Sequence, residues 1–460
     1  MPKEILYVLF GITIGVMSVK SPYLAWLIPL GLLTILLLSK SPLHALFVFV
    51  IFIPFSSTEL FNTYIIDLPG ARLINILGFL VLAGGIWHYK DSVKLSNYAF
   101  FFITAIFFIF TIAVFRSLSH LDQLIELADD IRSTSGYLLS HFVKPLLFFI
   151  PLIVIIKFCK ETKHLEFVAN VLIFSLITLS LYLLFLFLFK APDKNELARD
   201  YMTSILKLHG NDIANFFIIA FPVLLAKYFT KKNLISMLSI VLAIAAIGIL
   251  YSRTAYLTLL LSFILYLFLS KRAKFLPILL VGVIVLSFTV FTSVKERATH
   301  GFESKEYDDI FAGRIEGIWK PLFDEYSQSA KKFLIGNGRY AIKVSDSANN
   351  GSLISAAGHP HNMYIEQILD AGILGLIVFV LFYFVLLTRA FRNLSKPILP
   401  RLREYQYAVI VSLISFLISG LTGRSFFPDA ENSFIWIVVG IAIVINRLIE
   451  DSGKLVEEAT

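Results

Sequence analysis

Apolar runs about as long as a bilayer is thick recur along almost the whole chain, and this constrains the fold more than any other feature. A membrane-spanning helix needs about 20 predominantly apolar residues, with roughly 17–25 usual. By that measure the spans fall at 5–19, 23–38, 43–57, 71–88, 96–115, 142–158, 166–189, 212–229, 234–251, 254–270, 276–294, 362–388, 404–421 and 433–448. The first three are short, so about 12 to 14 transmembrane helices are expected. The fold class is then an all-α polytopic membrane protein, a single transmembrane domain over residues 1–460. Composition agrees. The chain is 57% hydrophobic and 16% charged, too little polar surface for a soluble protein of this length. Its one cysteine, Cys159, excludes an internal disulfide and a cysteine-based metal cage. The first apolar run follows Lys3 and Glu4, lacks a small-residue cleavage site and reads as a retained helix.

Lys and Arg in short loops set the orientation. Lys90 and Lys94 share one loop; Lys157, Lys160 and Lys163 another; Lys231 and Lys232 a third. Lys271, Arg272 and Lys274 mark a fourth, and Arg389, Arg392, Lys396, Arg401 and Arg403 the strongest. These loops alternate correctly if all are cytoplasmic, with both termini inside. The remaining loops are mixed or acidic, with Asp122, Glu126, Asp129 and Asp130 in one and Asp193, Glu196 and Asp200 in another. The net charge of +8 therefore follows membrane topology, and no nucleic-acid footprint is seen. Two outer segments are long. Residues 116–141 place Leu118, Leu121, Leu124 and Ile125 against Asp122, Glu126 and Asp129, the spacing of an amphipathic surface helix, although Leu127 falls off the stripe. Residues 295–361 form the longest polar stretch, and Trp319, Phe323, Phe333, Leu334 and Tyr340 recur in it, which suggests a large, mainly helical periplasmic loop.

The residues able to carry chemistry lie on that outer side. His359-Pro360-His361-Asn362 closes the long loop, and Asn362 is a good helix N-cap after a proline that disfavours helix before it. His361 then sits at the positive end of a helix dipole, which favours the neutral imidazole able to accept a proton. Asp370 is some two turns into the same span, where a carboxylate is costly and faces a wet cavity, and Gly372 and Gly375 share a face that permits close helix approach. The same residues also read simply as a helix cap with packing glycines. Arg253 interrupts two apolar helices at Tyr251-Ser252-Arg253-Thr254-Ala255, Arg314 follows Gly313, Arg339 follows Gly336-Asn337-Gly338, and Arg424 lies in the last outer loop. Guanidinium groups bind phosphate in two-pronged fashion; snorkelling to headgroups is the plainer alternative. His209-Gly210-Asn211-Asp212 opens another span from outside, with Asn211 or Asp212 as its cap. No phosphate loop of Walker type, no dinucleotide fingerprint and no third ligand to join His359 and His361 around a metal is evident.

These pieces resemble the O-antigen ligase/polymerase superfamily of bacterial inner-membrane glycan transferases, most strongly from about residue 210 to 385. The family's hallmark is a His followed by Asn, Ser or Gln, nine residues, then Gly-x-x-Gly. His361-Asn362, Met363 to Ala371, and Gly372-Ile373-Leu374-Gly375 fit it without a gap. Ser252-Arg253-Thr254-Ala255 is similar to the family's Ser-Arg motif, and Gly313-Arg314 with Trp319 and Gly336-Asn337-Gly338 to its Gly-Arg…Trp…Gly-x-Gly pattern. Asp370 stands where the family often has Glu. The resemblance implies a glycosyltransferase of the inner membrane with its active site facing the periplasm. Its donor would be a glycan on undecaprenyl pyrophosphate and its acceptor lipid A–core or another glycan. It implies inverting, metal-independent transfer without a cofactor. His361 would be the general base and Arg253 and Arg314 the pyrophosphate clamp, with Asn362, Asn211, His359, Arg339 and Asp370 around the substrate and membrane lipids at the flanks. A polysaccharide polymerase of the same superfamily is the nearest alternative, differing in acceptor. A lipid-linked glycan flippase is the reading from another class, disfavoured because the polar residues gather at one face rather than at midplane.

Overall fold

The computed structural model of the chain describes residues 32–38, 40–62, 72–127, 131, 133–192, 196–277, 313–354, 358–396, 398–423 and 425–457. The expected span 5–19, most of 23–38 and 276–294, residues 295–312 and Arg424 lie outside the described residues. In chain order the principal helices are α1 (Pro42–Phe52), α2 (Leu73–Trp87), α3 (Asn97–Ser117), α4 (Leu121–Leu127), α5 (Lys144–Phe158) and α6 (Thr162–Phe185). There follow α7 (Glu196–Leu206), α8 (Gly210–Lys231), α9 (Leu234–Gly248) and α10 (Arg253–Leu269). Then come α11 (Lys320–Ser327), α12 (Ala330–Ile335), α13 (Met363–Leu394), α14 (Pro400–Ser419) and α15 (Ser433–Glu457). The architecture is all-α, and the protein is a polytopic membrane protein. Among the described residues, six helical stretches are long and apolar enough to cross a bilayer, those built on α3, α5, α6, α8, α13 and α15; four shorter apolar helices accompany them.

Local chemistry explains where these helices start. Ser41 accepts from the Leu43 N–H ahead of Pro42, Asn233 from Ser236, and Ser252 from Ala255, each satisfying a donor that the first helical turn leaves open. The short turns between α8, α9 and α10 make them antiparallel neighbours. α8 and α15 are buried over most of their length, so they form the centre. α3 turns Phe100, Phe101 and Phe108 outward, as a helix facing lipid does. The N-termini of α8, α10 and α13 lie together at one end, and their C-termini run to Lys231, to Lys271 and Arg272, and to Arg392 at the other. At that basic end Arg272 donates twice to Glu404 of α14, where the Tyr266 hydroxyl also donates (2.7 Å).

Residues 116–127 differ from a separate surface helix. They continue the path of α3 through a 3₁₀ turn into α4, burying Leu121 and Leu124 and leaving Asp122, Glu126 and Leu127 exposed. The loop from 313 to 354, called outer after the side on which the sequence expects it, is folded around a small apolar cluster of its own: Ile318, Leu322, Tyr326, Ala341 and Ile342, which packs on Leu369 of α13.

α13 is not the uninterrupted rod that its hydropathy suggests. It breaks at Gly372, whose φ is +73°. A Cβ there would collide with the backbone of Leu334 and Ile335, and one at Gly336 (φ +70°) with that of Asp370 and Ala371. Gly372 thus serves a left-handed break and a backbone-to-backbone contact with the outer loop, rather than the packing face with Gly375 read from the sequence. Gly372→Ala is expected to destabilise the protein by more than about 2 kcal/mol, since strain and collision add. Gly248→Ala, with nothing within 4 Å of the new carbon, should be neutral or stabilise by up to about 1 kcal/mol. Thermal unfolding of both in detergent checks this; equal midpoints would refute the break as a required feature.

Candidate functional site

Three helix N-termini meet at the end opposite the basic one, joined by side chains. His209 precedes α8, and its Nδ1 accepts from the Asn211 N–H (3.3 Å). Asn211 Oδ1 in turn accepts from the Ser252 hydroxyl (2.8 Å), and Ser252 caps α10 immediately before Arg253. Thr254 is tied to Thr422 (2.8 Å). Asn362 caps α13, its Oδ1 accepting from Tyr364 (3.0 Å) and Ile365 (3.1 Å), while the Met363 N–H donates to Gly420 (2.8 Å). The rings of His209 and His361 meet edge to face with centroids 6.4 Å apart. Each helix brings roughly half a positive charge to its N-terminus, so three together make a strong site for an anion.

His361 itself is held unusually. Its φ is +53°, a left-handed conformation uncommon for a residue with a Cβ. Its N–H donates to His359 Nδ1 (3.0 Å), and the two rings lie 3.7 Å apart. Between them the Pro360 carbonyl accepts from the Trp319 indole (2.8 Å). Trp319 ends the π-helical turn that Arg314 opens, and Ile354 fastens that turn by donating to Gly317 (2.9 Å). Arg253, Arg314, His359 and His361 are half-buried and His209 is exposed. Contacts running through Asn211, Ser252 and Trp319 thus link His361, His359, Asn362 and the segments that begin with Arg253 and Arg314.

Arg339 and Asp370, read from the sequence as substrate contacts, sit in a second, buried cluster. Arg339 is 4% exposed and Asp370 2%. The guanidinium donates to Asp370 (3.1 Å), Ser425 (2.9 Å) and Asp429 (3.2 Å), with Glu366 at 3.7 Å, and lies over the Tyr340 and Phe427 rings. The other Asp370 oxygen accepts from the Ala341 N–H (3.3 Å). In this structure their polar atoms face each other, the loop that holds Ser425 and Asp429, and Glu366 in the first turn of α13. Burial opposes the charge on Arg339, but Asp429, Asp370 and Glu366 together outweigh it and lift its pKa well above the ordinary arginine value. Sequence reading missed Ser425 and Asp429. Nothing local marks them, because their partner Arg339 is some 86 and 90 residues away along the chain.

The loop that carries them is anchored by Phe426 and Phe427, both fully buried. The Phe426 ring packs on Tyr364 and Phe379 of α13 (centroids 5.3 and 5.2 Å), so the last outer loop is pinned to the helix that begins after His361.

Residues 238–380 match the O-antigen ligase family. The matched span holds Arg253, Arg314, Arg339, His359, His361, Asn362 and Asp370, and leaves out His209 and Asn211. No curated protein matches the chain. The two clusters should answer differently to truncation. Arg339→Ala strands buried carboxylates and should cost about 3–5 kcal/mol of stability. Arg253→Ala, at a half-buried position, should cost about 1 kcal/mol or less. Thermal unfolding in detergent separates them. Parental stability in the Arg339 variant would show that the buried cluster contributes nothing to the fold.

Proposed function

We propose that this member of the O-antigen ligase superfamily, whose residues 238–380 carry the family's domain, transfers a glycan from undecaprenyl pyrophosphate to an acceptor sugar hydroxyl at the periplasmic face of the bacterial inner membrane. One observation carries the reading: the N-termini of α8, α10 and α13 meet around His361, with Arg253 as the first residue of one of them. An anionic leaving group suits that meeting point, and a base beside it completes the needs of a displacement.

In this reaction the acceptor oxygen forms a bond to the anomeric carbon from the face opposite the pyrophosphate. The carbon–oxygen bond to the pyrophosphate breaks, its electron pair leaves with undecaprenyl pyrophosphate, and the acceptor proton passes to the His361 imidazole. The anomeric centre is inverted. Arg253 and Arg314 neutralise the charge that grows on the leaving group, and a planar guanidinium suits its oxygens better than an ammonium. Asn211 and Asn362 fix the helix starts that frame the site, Asn211 through Ser252 and Asn362 through its cap. Activation already stored in the glycosyl pyrophosphate drives transfer, and since two arginines neutralise the leaving group, activity is expected to survive excess chelator. Lipid A–core is the acceptor in this reading.

The orientation has a direct test. Ser352 is exposed in the outer loop and Ser395 is exposed beside the basic residues after α13, while the native Cys159 is buried and stays silent. A membrane-impermeant maleimide applied to cells with a permeabilised outer membrane should label Ser352→Cys and not Ser395→Cys. The reverse pattern would place the site in the cytoplasm. The chemistry is tested with purified protein, a lipid-linked glycan and candidate acceptors. His361→Ala should abolish transfer with donor binding nearly intact, and Arg253→Ala and Arg314→Ala should weaken both. Near-parental transfer by His361→Ala would sink the mechanism.

A further inference from the structure

We propose that His359 is a positioning residue, whose ring nitrogen holds the main chain of His361 in the left-handed turn that aims the catalytic imidazole. The inference rests on the reading of His361 as the base. It starts from a cost. A residue with a Cβ at φ +53° is disfavoured by roughly 1–2 kcal/mol. A proline followed by a left-handed residue is the pattern of a turn whose third position ordinarily belongs to Gly or Asn. Here that position is His361, so something must over-determine the conformation.

Two contacts do so. The Trp319 indole holds the Pro360 carbonyl from the outer loop (2.8 Å). From within the turn, His359 Nδ1 accepts the His361 N–H (3.0 Å), two residues on. This is the hydrogen bond that an Asn or Asp side chain makes in an Asx turn, with the imidazole nitrogen in place of the carbonyl oxygen. The contact also sets the tautomer. Nδ1 is the acceptor, so neutral His359 carries its proton on Nε2, and it has no second lone pair with which to act as a base on substrate. With the rings 3.7 Å apart, any rotation of the His361 backbone would also move the two imidazoles against each other. His359 is thereby distinguished from His209, which meets the His361 ring edge to face at 6.4 Å but makes its main-chain contact to Asn211 on another helix.

Two variants separate the nitrogen from the ring. His359→Asn keeps an acceptor for the N–H two residues on and loses the ring. His359→Phe keeps an aromatic ring and loses the acceptor. In glycan transfer by the purified full-length protein, His359→Asn should stay within about threefold of the parent, while kcat of His359→Phe should fall about tenfold or more, the scale of one net hydrogen bond lost from the reacting geometry. Donor binding should be unchanged in both, because the residue acts through His361. Activity retained by His359→Phe, or lost by His359→Asn with its thermal midpoint at the parental value, overturns the proposal. Weakened donor binding in both would make His359 a substrate contact and equally overturn it. His361→Ala is the control that keeps the two ideas apart. If it transfers normally, the function proposed above fails; if it is inactive while His359→Phe is not, only the positioning role fails.

Discussion

A helix that breaks inside a membrane protein releases carbonyls that lipid cannot satisfy, and each one left open costs several kcal/mol. At Gly372 the carbonyls of Leu369 and Asp370 are taken instead by the N–H groups of Asn337 (2.8 Å) and Gly338 (3.0 Å). Much of the outer architecture follows from that exchange. The loop must pass close enough for backbone to meet backbone, which is why glycines stand on both sides, at 336 and 372. The next residue, Arg339, donates its N–H to Ala113 and accepts from Ser117, both near the end of α3. Helix break, outer loop and α3 are thus one mechanical unit, and the start of α13, with His361 before it, is positioned from that seat.

The arginines at this end sit in two physically different settings, although short-range sequence makes them look alike. Arg339 is desolvated and surrounded by carboxylates on three sides, Asp370, Asp429 and Glu366. A buried network of this kind is a weak source of net stability, because desolvation offsets most of the Coulomb gain; what it does strongly is forbid alternatives, since removing one partner strands the others. It therefore adds specificity to three segments that Phe426, Phe427 and the backbone contact at Gly372 already hold together. Arg253 and Arg314 are half-buried rather than enclosed, and in the proposed function it is they that meet the anionic leaving group.

Hydropathy made the spans legible because the membrane imposes a length on each helix. The expectation of 234–251 meets α9 at Leu234–Gly248, and that of 254–270 meets α10 at Arg253–Leu269. Caps were legible only in part: Asn362 caps α13 as expected, acting within three residues of itself, whereas α8 is capped by His209 rather than by Asn211 or Asp212, and the cap of α10 at Ser252 was not read. The break at Gly372 was not, since a glycine in an apolar run fits close helix packing as well as a left-handed turn. Pairings over long separations left no trace either. Ser425 and Asp429 look like any polar residues in a short loop, and the approach of His209 to His361 spans about 150 residues of chain. The motif order carried some of this information indirectly, through the resemblance it supports, but not the geometry. Arg339 illustrates the limit. Its motif neighbours placed it among the site residues, while its burial is settled by Asp370 and Asp429, which no spacing rule connects to it.

In the proposed transfer, the electrostatics of the site explain why a base and an anion clamp share one place. A neutral imidazole becomes a cation at the moment the pyrophosphate gains the negative charge of the broken glycosyl bond. The total charge of the site does not change in that step; charge is only separated. The positive ends of α8, α10 and α13 oppose the new cation and favour the new anion, so their net effect depends on which charge lies deeper in their field. His361 sits outside the first turn of α13, in the loop before its cap, whereas Arg253 is the first residue of α10. A leaving group drawn toward Arg253 would lie nearer the helix starts than the imidazole does, and the field would then favour the products of the displacement over its reactants.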